Sequence, residues 1–129
     1  MLKTKCVYHD IGADDGLRIL VTRFRGRGMP TDRYDVWMAN LGPSEQLLHA
    51  FLEERIDWPE FKRRYKAELW ADGGADGGNA VIKNHGQKFT LRLIKHLAEQ
   101  QDVTLMCHCE NPDRCHRTVL KDVILSSKV

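Results

Sequence analysis

Apolar and polar positions along this chain follow two rhythms, and each predicts its own kind of element. Cys6 to His9 is a short strand candidate, followed by the turn Gly12-Ala13-Asp14-Asp15-Gly16. Leu17-Arg18-Ile19-Leu20-Val21-Thr22 is a stronger strand, because its apolar centre implies burial on both faces. The glycine-containing loop Arg23-Phe24-Arg25-Gly26-Arg27-Gly28-Met29-Pro30 separates it from another short strand, Tyr34 to Met38. The rhythm then becomes helical. Ser44 is placed to cap a helix running to about Arg55, although Leu47 three residues on means that no capping box forms. Asp57-Trp58-Pro59-Glu60 opens a second helix more firmly, with Asp57 as cap, Pro59 in the first turn and Glu60 complementing the helix dipole. Phe61, Tyr65 and Leu69 recur on one face and are expected in the core. A third helix, from about Gln87 to Gln100, is expected to turn Phe89, Leu93, Leu97 and Ile94 inward. The chain closes with an apolar strand, Val103 to Met106, and a helix over Thr118 to Leu125 carrying Val119, Leu120, Val123 and Ile124.

Strands alternating with helices, joined by connections long enough for parallel pairing, predict a small three-layer α/β sandwich with a mainly parallel, Rossmann-like sheet. A chain of 129 residues is long enough for one core, so residues 1–129 are expected to form a single domain. The stretch 71–79, with Ala-Asp-Gly-Gly twice, reads as a flexible loop inserted into it, too sparse in acids for a calcium loop.

Composition narrows the function classes. With 42% hydrophobic and 29% charged residues the chain has the make-up of an ordinary soluble protein. No apolar run is long enough for a membrane span, and the opening Met-Leu-Lys-Thr-Lys-Cys lacks a signal-peptide core, so no membrane partner and a cytoplasmic location are expected. Cysteines there should be thiols. A net charge of +2 is too mild to mark a nucleic-acid binder. Basic residues are nevertheless grouped. Arg18, Arg23, Arg25, Arg27 and Arg33 fall close together, with Asp32 as the only acid between Arg18 and Arg33. They form either a solvated loop or an anion-binding rim, in which Arg23 and Arg27 would hold a phosphate or carboxylate. The helix face Lys62-Arg63-Arg64-Lys66 offers a weaker route to nucleic-acid backbone.

The densest chemistry lies in Leu105-Met106-Cys107-His108-Cys109-Glu110-Asn111-Pro112-Asp113-Arg114-Cys115-His116-Arg117. This segment joins the last strand to the last helix, and in α/β proteins such a junction lies at the carboxyl edge of the sheet where ligands bind. In extended chain Cys107 and Cys109 share a face, with His108 opposite. Cys115 and His116 fall at the start of the helix, where its N-terminus together with Arg114 and Arg117 favours a thiolate. Cys107, Cys115 and His116 are therefore candidate catalytic residues, with His116 as acid or base, and Arg117 joins Arg23 and Arg27 as a candidate ligand-binding residue. The loop of cysteine phosphatases needs five residues between cysteine and arginine. Cys109 to Arg114 encloses four, so that match fails by register. Cys107, Cys109, Cys115 and His116, with Cys6, His9 or His85, could instead hold zinc or iron, but their spacing is not one that structural zinc sites usually show, and no metal or cofactor is assigned. Burial of Cys107 as a small apolar residue is the plainest alternative.

The pattern Cys107, Pro112, Cys115-His116-Arg117 resembles the cysteine-containing branch of the bacterial domain of unknown function 488 family. Leu17 to Arg23 with Arg27-Gly28, then Asp35-Val36-Trp37, Leu41-Gly42-Pro43-Ser44 and Trp58 to Leu69, are similar to its YeaO-like branch. The resemblance implies an α/β fold and a site shared by the early arginine loop and the late junction. In YeaO-like sequences the late segment often lacks cysteines, which makes the arginines its more transferable part. These readings converge on a small enzyme with an anion-binding pocket, acting on a phosphorylated or nucleotide-like ligand through a reactive cysteine. The alternatives are a metal-binding or ligand-sensing module without turnover and a nucleic-acid accessory protein.

Overall fold

The structure is a computed structural model that describes residues 1–71 and 86–129. Four strands, β1 (Leu2–Cys6), β2 (Leu17–Leu20), β3 (Val36–Trp37) and β4 (Val103–Cys107), form one sheet in the order β1-β4-β2-β3. All three pairings are parallel, with Cys6 opposite Cys107 and Leu20 opposite Met106. This is a small α/β fold with a parallel sheet. Because the strands run the same way, the loops following β1, β2 and β4 all emerge at one edge.

The helices are α1 (Glu45–Leu52), α2 (Trp58–Trp70), α3 (Lys88–Gln100) and α4 (His116–Leu125). Ser44 caps α1 by accepting from the Leu47 N–H, and Asp57 caps α2 by accepting from the Glu60 N–H. Buried apolar residues from each of the four helices join one cluster with Leu2, Ile19, Val103 and Leu105 of the sheet. Alternation along β2 and β4 sends Leu20 and Met106 to the opposite face, where Val7, Met29 and Tyr34 cover them from loops. One flanking layer is thus helical, and the other is loop held by arginines. Arg25 Nη1 donates to Met29 O at 2.6 Å and Tyr34 Oη at 3.2 Å, and Arg33 reaches His9 O at 3.0 Å.

Two expectations need correction. β1 covers Leu2–Cys6 rather than Cys6 to His9, where the chain instead turns as the His9 N–H donates to Cys6 O. Its polar Lys3, Thr4 and Lys5 suit an edge strand, and they hide the strand from an argument based on apolar runs. In α3 the inward face is Leu91, Ile94 and Ala98, while Phe89 and Leu93 are exposed and Leu97 is partly buried. Both stripes have helical spacing. Ala98 lies where the N-terminal amine donates to its carbonyl at 2.7 Å, a close approach that a small side chain permits. The glycine-rich stretch lies outside the described residues apart from Ala71.

A run of rings ties the helices to the late junction. Phe51 meets Phe61 at 4.8 Å, Phe61 meets Tyr65 at 6.1 Å, and the fully buried Tyr65 meets His116 edge-on at 5.6 Å. Tyr65 Oη donates to Leu41 O. Tyr65→Phe leaves that carbonyl without its donor and is expected to cost about 1–2 kcal/mol, read from urea unfolding. An unchanged midpoint would show that the hydroxyl contributes nothing.

Candidate functional site

The late junction is built as a strand end, a one-turn bend and a helix start. β4 is central and fully buried, which delivers Cys107 to the carboxyl edge with no exposed surface. Asn111 then accepts from the Asp113 N–H and starts a short 3-10 turn over Pro112–Arg114. Cys115 occupies the N-cap of α4, so His116 and Arg117 fall in its first turn and face inward at 8% and 3% exposure. The bend brings the Cys107, Cys109 and Cys115 sulfurs within 4.8 Å of one another. Cys109 is exposed, and the other two are buried.

Arg117 holds this group together. Its Nη1 lies 2.9 Å from Cys107 Sγ, 3.7 Å from Cys115 Sγ and 2.5 Å from Cys109 O, while its Nε is buried without a partner. Among the described residues no carboxylate pairs with it. A buried guanidinium needs a nearby negative charge, and the groups at hand that can supply one are thiols. The hydrogen-bonding thiols of Cys107 and Cys115 hold Cys109 far below the ordinary thiol range. Donation toward Cys109 in turn pushes Cys107 up to about 11. Cys115 rises as well, through its hydrogen bonds to Cys107 and Cys109. Arg117 Nη1 and the Cys109 N–H, at 3.3 Å, nonetheless converge on the Cys107 sulfur. The charge is therefore shared by Cys107 and Cys109: the trio loses its first proton readily and the others with difficulty. Because Cys109 is exposed, an external reagent meets the charge there.

His116 is anchored to the backbone through one ring nitrogen. Its Nε2 lies 2.7 Å from Val21 O, and a carbonyl can only accept, so this nitrogen carries the proton. Burial pushes its pKa down and keeps the ring neutral. His108 Nε2 lies 3.1 Å from Arg25 O, which draws the arginine loop over the junction.

A cavity of about 230 Å³ opens beside the trio. Cys107, His108, Cys109 and His116 line it from the junction, Thr22, Arg23 and Phe24 from the arginine loop, and Pro43, Leu48 and Leu52 from the start of α1 and its approach. Of the candidate residues from the sequence, the structure thus groups Cys107, Cys115, His116 and Arg117 at the junction and brings Arg23 to the same cavity. Arg27 is exposed and lies outside the lining. Arg23 donates from Nε to Pro43 O at 2.8 Å and from Nη2 to Gly42 O at 2.9 Å, leaving Nη1 without an acceptor among the described residues. That clamp requires close backbone contact. A Cβ on Gly42 would lie 2.4 Å from Arg23 N, so Gly42→Ala is expected to destabilise by about 1–3 kcal/mol and loosen the cavity wall, as a shift in thermal midpoint would show.

The sequence pointed away from three of these residues. In the sequence Cys109 stands as a metal ligand and as the head of a phosphatase-type loop that fails by register, and its spacing of two from Cys107 is the signal that singles it out. Leu48 and Leu52 lie on α1, whose apolar stripe gives no sign of which part meets a cavity. The basic face of α2 is partly neutralised, since Glu60 binds Arg63 at 2.5 Å and Arg64 at 2.8 Å. A second ligand-bearing group, Cys6, His9 and Glu110, stands at the same sheet edge, with His9 Nε2 3.1 Å from Glu110 Oε2. No helix among the described residues is long and apolar enough to cross a membrane.

Comparison with known proteins places this chain in a family. YeaO of Escherichia coli K12 is 32% identical over 127 residues, covering 97% of each chain. Rv3073c of Mycobacterium tuberculosis H37Rv and Mb3100c of Mycobacterium bovis are each 37% identical over 65 residues, covering 49% of this chain and 55% of their own. No solved structure matches. The family model described as the active DUF488-N3 subclade matches residues 2–128, and the chain belongs to the DUF488 family.

Proposed function

We propose that this protein is a small cytoplasmic enzyme that attacks its substrate with the thiolate of the junction, Cys109 being the reacting sulfur. The observation that carries the reading is the buried Arg117 at 2.9 Å from Cys107 Sγ, which leaves a thiolate as its counter-charge. In a reducing compartment the four free cysteines would persist as thiols. The cavity is smaller than the roughly 300–1,000 Å³ of drug-sized ligand pockets, which favours a compact substrate over a whole nucleotide. Phe24, Pro43, Leu48 and Leu52 suit an apolar body, and the spare Arg23 Nη1 suits a carboxylate or phosphate at its end.

Alkylation of the reduced protein across pH tests the reading. A free thiol loses about tenfold in rate for each unit below its pKa of about 8.5. Cys109 should keep its rate well into acid, and Cys109→Ser should abolish the fast phase while Cys6 stays slow. Uniformly slow alkylation would overturn the proposal. Alkylation that begins only after a chelator is added would assign the sulfurs to a metal ion instead.

A further inference from the structure

We propose that the reaction is a two-electron reduction of a small disulfide, with Cys115 resolving the adduct formed on Cys109, because two further thiols stand within 4.8 Å of the reacting sulfur. The inference rests on the thiolate reading above and adds the reaction class. A covalent adduct on Cys109 can be discharged by water or by a second thiol. Hydrolysis needs a base positioned at the adduct. Among the described residues no histidine nitrogen or carboxylate is hydrogen-bonded to any of the three sulfurs, and both nearby histidines commit Nε2 to backbone carbonyls. Two thiols, by contrast, lie within 4.8 Å of Cys109.

Cys115 is the better placed of the two. Cys107 ends a buried strand, and its sulfur is engaged by Arg117 Nη1 and the Cys109 N–H. Arg117 approaches the Cys115 sulfur less closely, at 3.7 Å, and the residue sits between the 3-10 turn and α4. A disulfide also suits the cavity, since its sulfurs are uncharged and apolar while its ends can carry the acid that Arg23 Nη1 would meet.

The steps balance. The Cys109 thiolate attacks one sulfur of R–S–S–R′, that bond breaks, R′S⁻ leaves, and Cys109–S–S–R remains. Cys115 gives its proton to the departing thiolate and attacks the Cys109 sulfur, releasing RS⁻, which takes a proton from solvent. Two thiols are formed and the protein holds a Cys109–Cys115 bridge. A low-molecular-weight thiol, the co-reactant, reduces that bridge by two further exchanges.

The test is reduced full-length protein mixed with dithiobis(nitrobenzoate), an aromatic disulfide whose leaving thiolates carry carboxylates and absorb visibly. Wild type should release two chromophores for each disulfide consumed, finish two hydrogens lighter with no adduct, and yield a Cys109–Cys115 bridge on peptide mapping. Cys115→Ser should release one and retain the other on Cys109, and Cys115→Ala gives the same readout if serine unsettles the buried position. A stable adduct on Cys109 in wild type would overturn the resolving step while leaving Cys109 as nucleophile. A Cys107–Cys109 bridge would overturn the assignment of Cys115. If Cys109 reacts no faster than Cys6, the thiolate reading fails as well.

Discussion

Replacing Arg117 with methionine should lower stability by about 3 kcal/mol near neutral pH, a fall of about 10 °C in thermal midpoint, and should move Cys109 up toward the ordinary thiol range. Methionine fills much of the space of the arginine stem, so packing changes least. What disappears is the donor at 2.9 Å from Cys107 Sγ and 2.5 Å from Cys109 O, leaving a buried sulfur and carbonyl less satisfied. The effect has a definite pH dependence. Cys109 titrates lower in the folded chain, so its ionisation contributes stability that is complete above about 8.5 and is lost as pH falls through the folded value. The gap between wild type and variant should therefore be widest near pH 8 and narrow in acid. Cys107 works oppositely, its contribution fading as pH rises from about 8.5 toward its own value of about 11. Denaturant curves at several pH values, paired with the ultraviolet absorbance of the thiolate, separate the two. A variant as stable as wild type with an unmoved thiolate titration would remove Arg117 from the charge argument.

His116→Gln should change the acid limb of stability. In the folded chain burial lowers the pKa of His116, while in the unfolded chain it titrates near 6.5. Below that value the unfolded state binds the extra proton, so stability declines with falling pH by up to about 1.4 kcal/mol per unit until the folded ring is protonated too. Glutamine can still donate to Val21 O but does not titrate. The variant should be less stable at pH 8, through loss of the edge-on contact with Tyr65, yet show a shallower slope below 6.5. Parallel slopes would mean that the ring is not kept neutral by burial.

How far the sequence carried the fold depended on whether each signal was local. The caps Ser44 and Asp57 act within three residues, and both do in space what their spacing implied. The strand and helix flanking the cysteines were visible because both are buried and strongly apolar. Where two stripes competed, as in α3, the choice was made by what lay opposite, which the helix does not encode. The site divides along the same line. That Cys107, Cys115, His116 and Arg117 share a junction is nearly a matter of sequence proximity. That four of the five early arginines spend donors on backbone carbonyls, with Arg23 alone of the five lining the cavity, follows from long loop contacts invisible to spacing.

The unequal covering of the sheet has a consequence for amide exchange. On one face all four helices share a continuous core, so the β4 amides should exchange only through global unfolding. On the other, Val7, Met29 and Tyr34 are the loop contacts over Leu20 and Met106. Lifting the segment from 23 to 35 uncovers only the smaller cluster of Val7, Leu20, Met29 and Met106, leaves the helical side intact and opens the mouth beside Cys109. Amides of that segment should therefore exchange through a partial opening short of global unfolding, and the same excursion sets how often the buried Cys107 sulfur meets solvent.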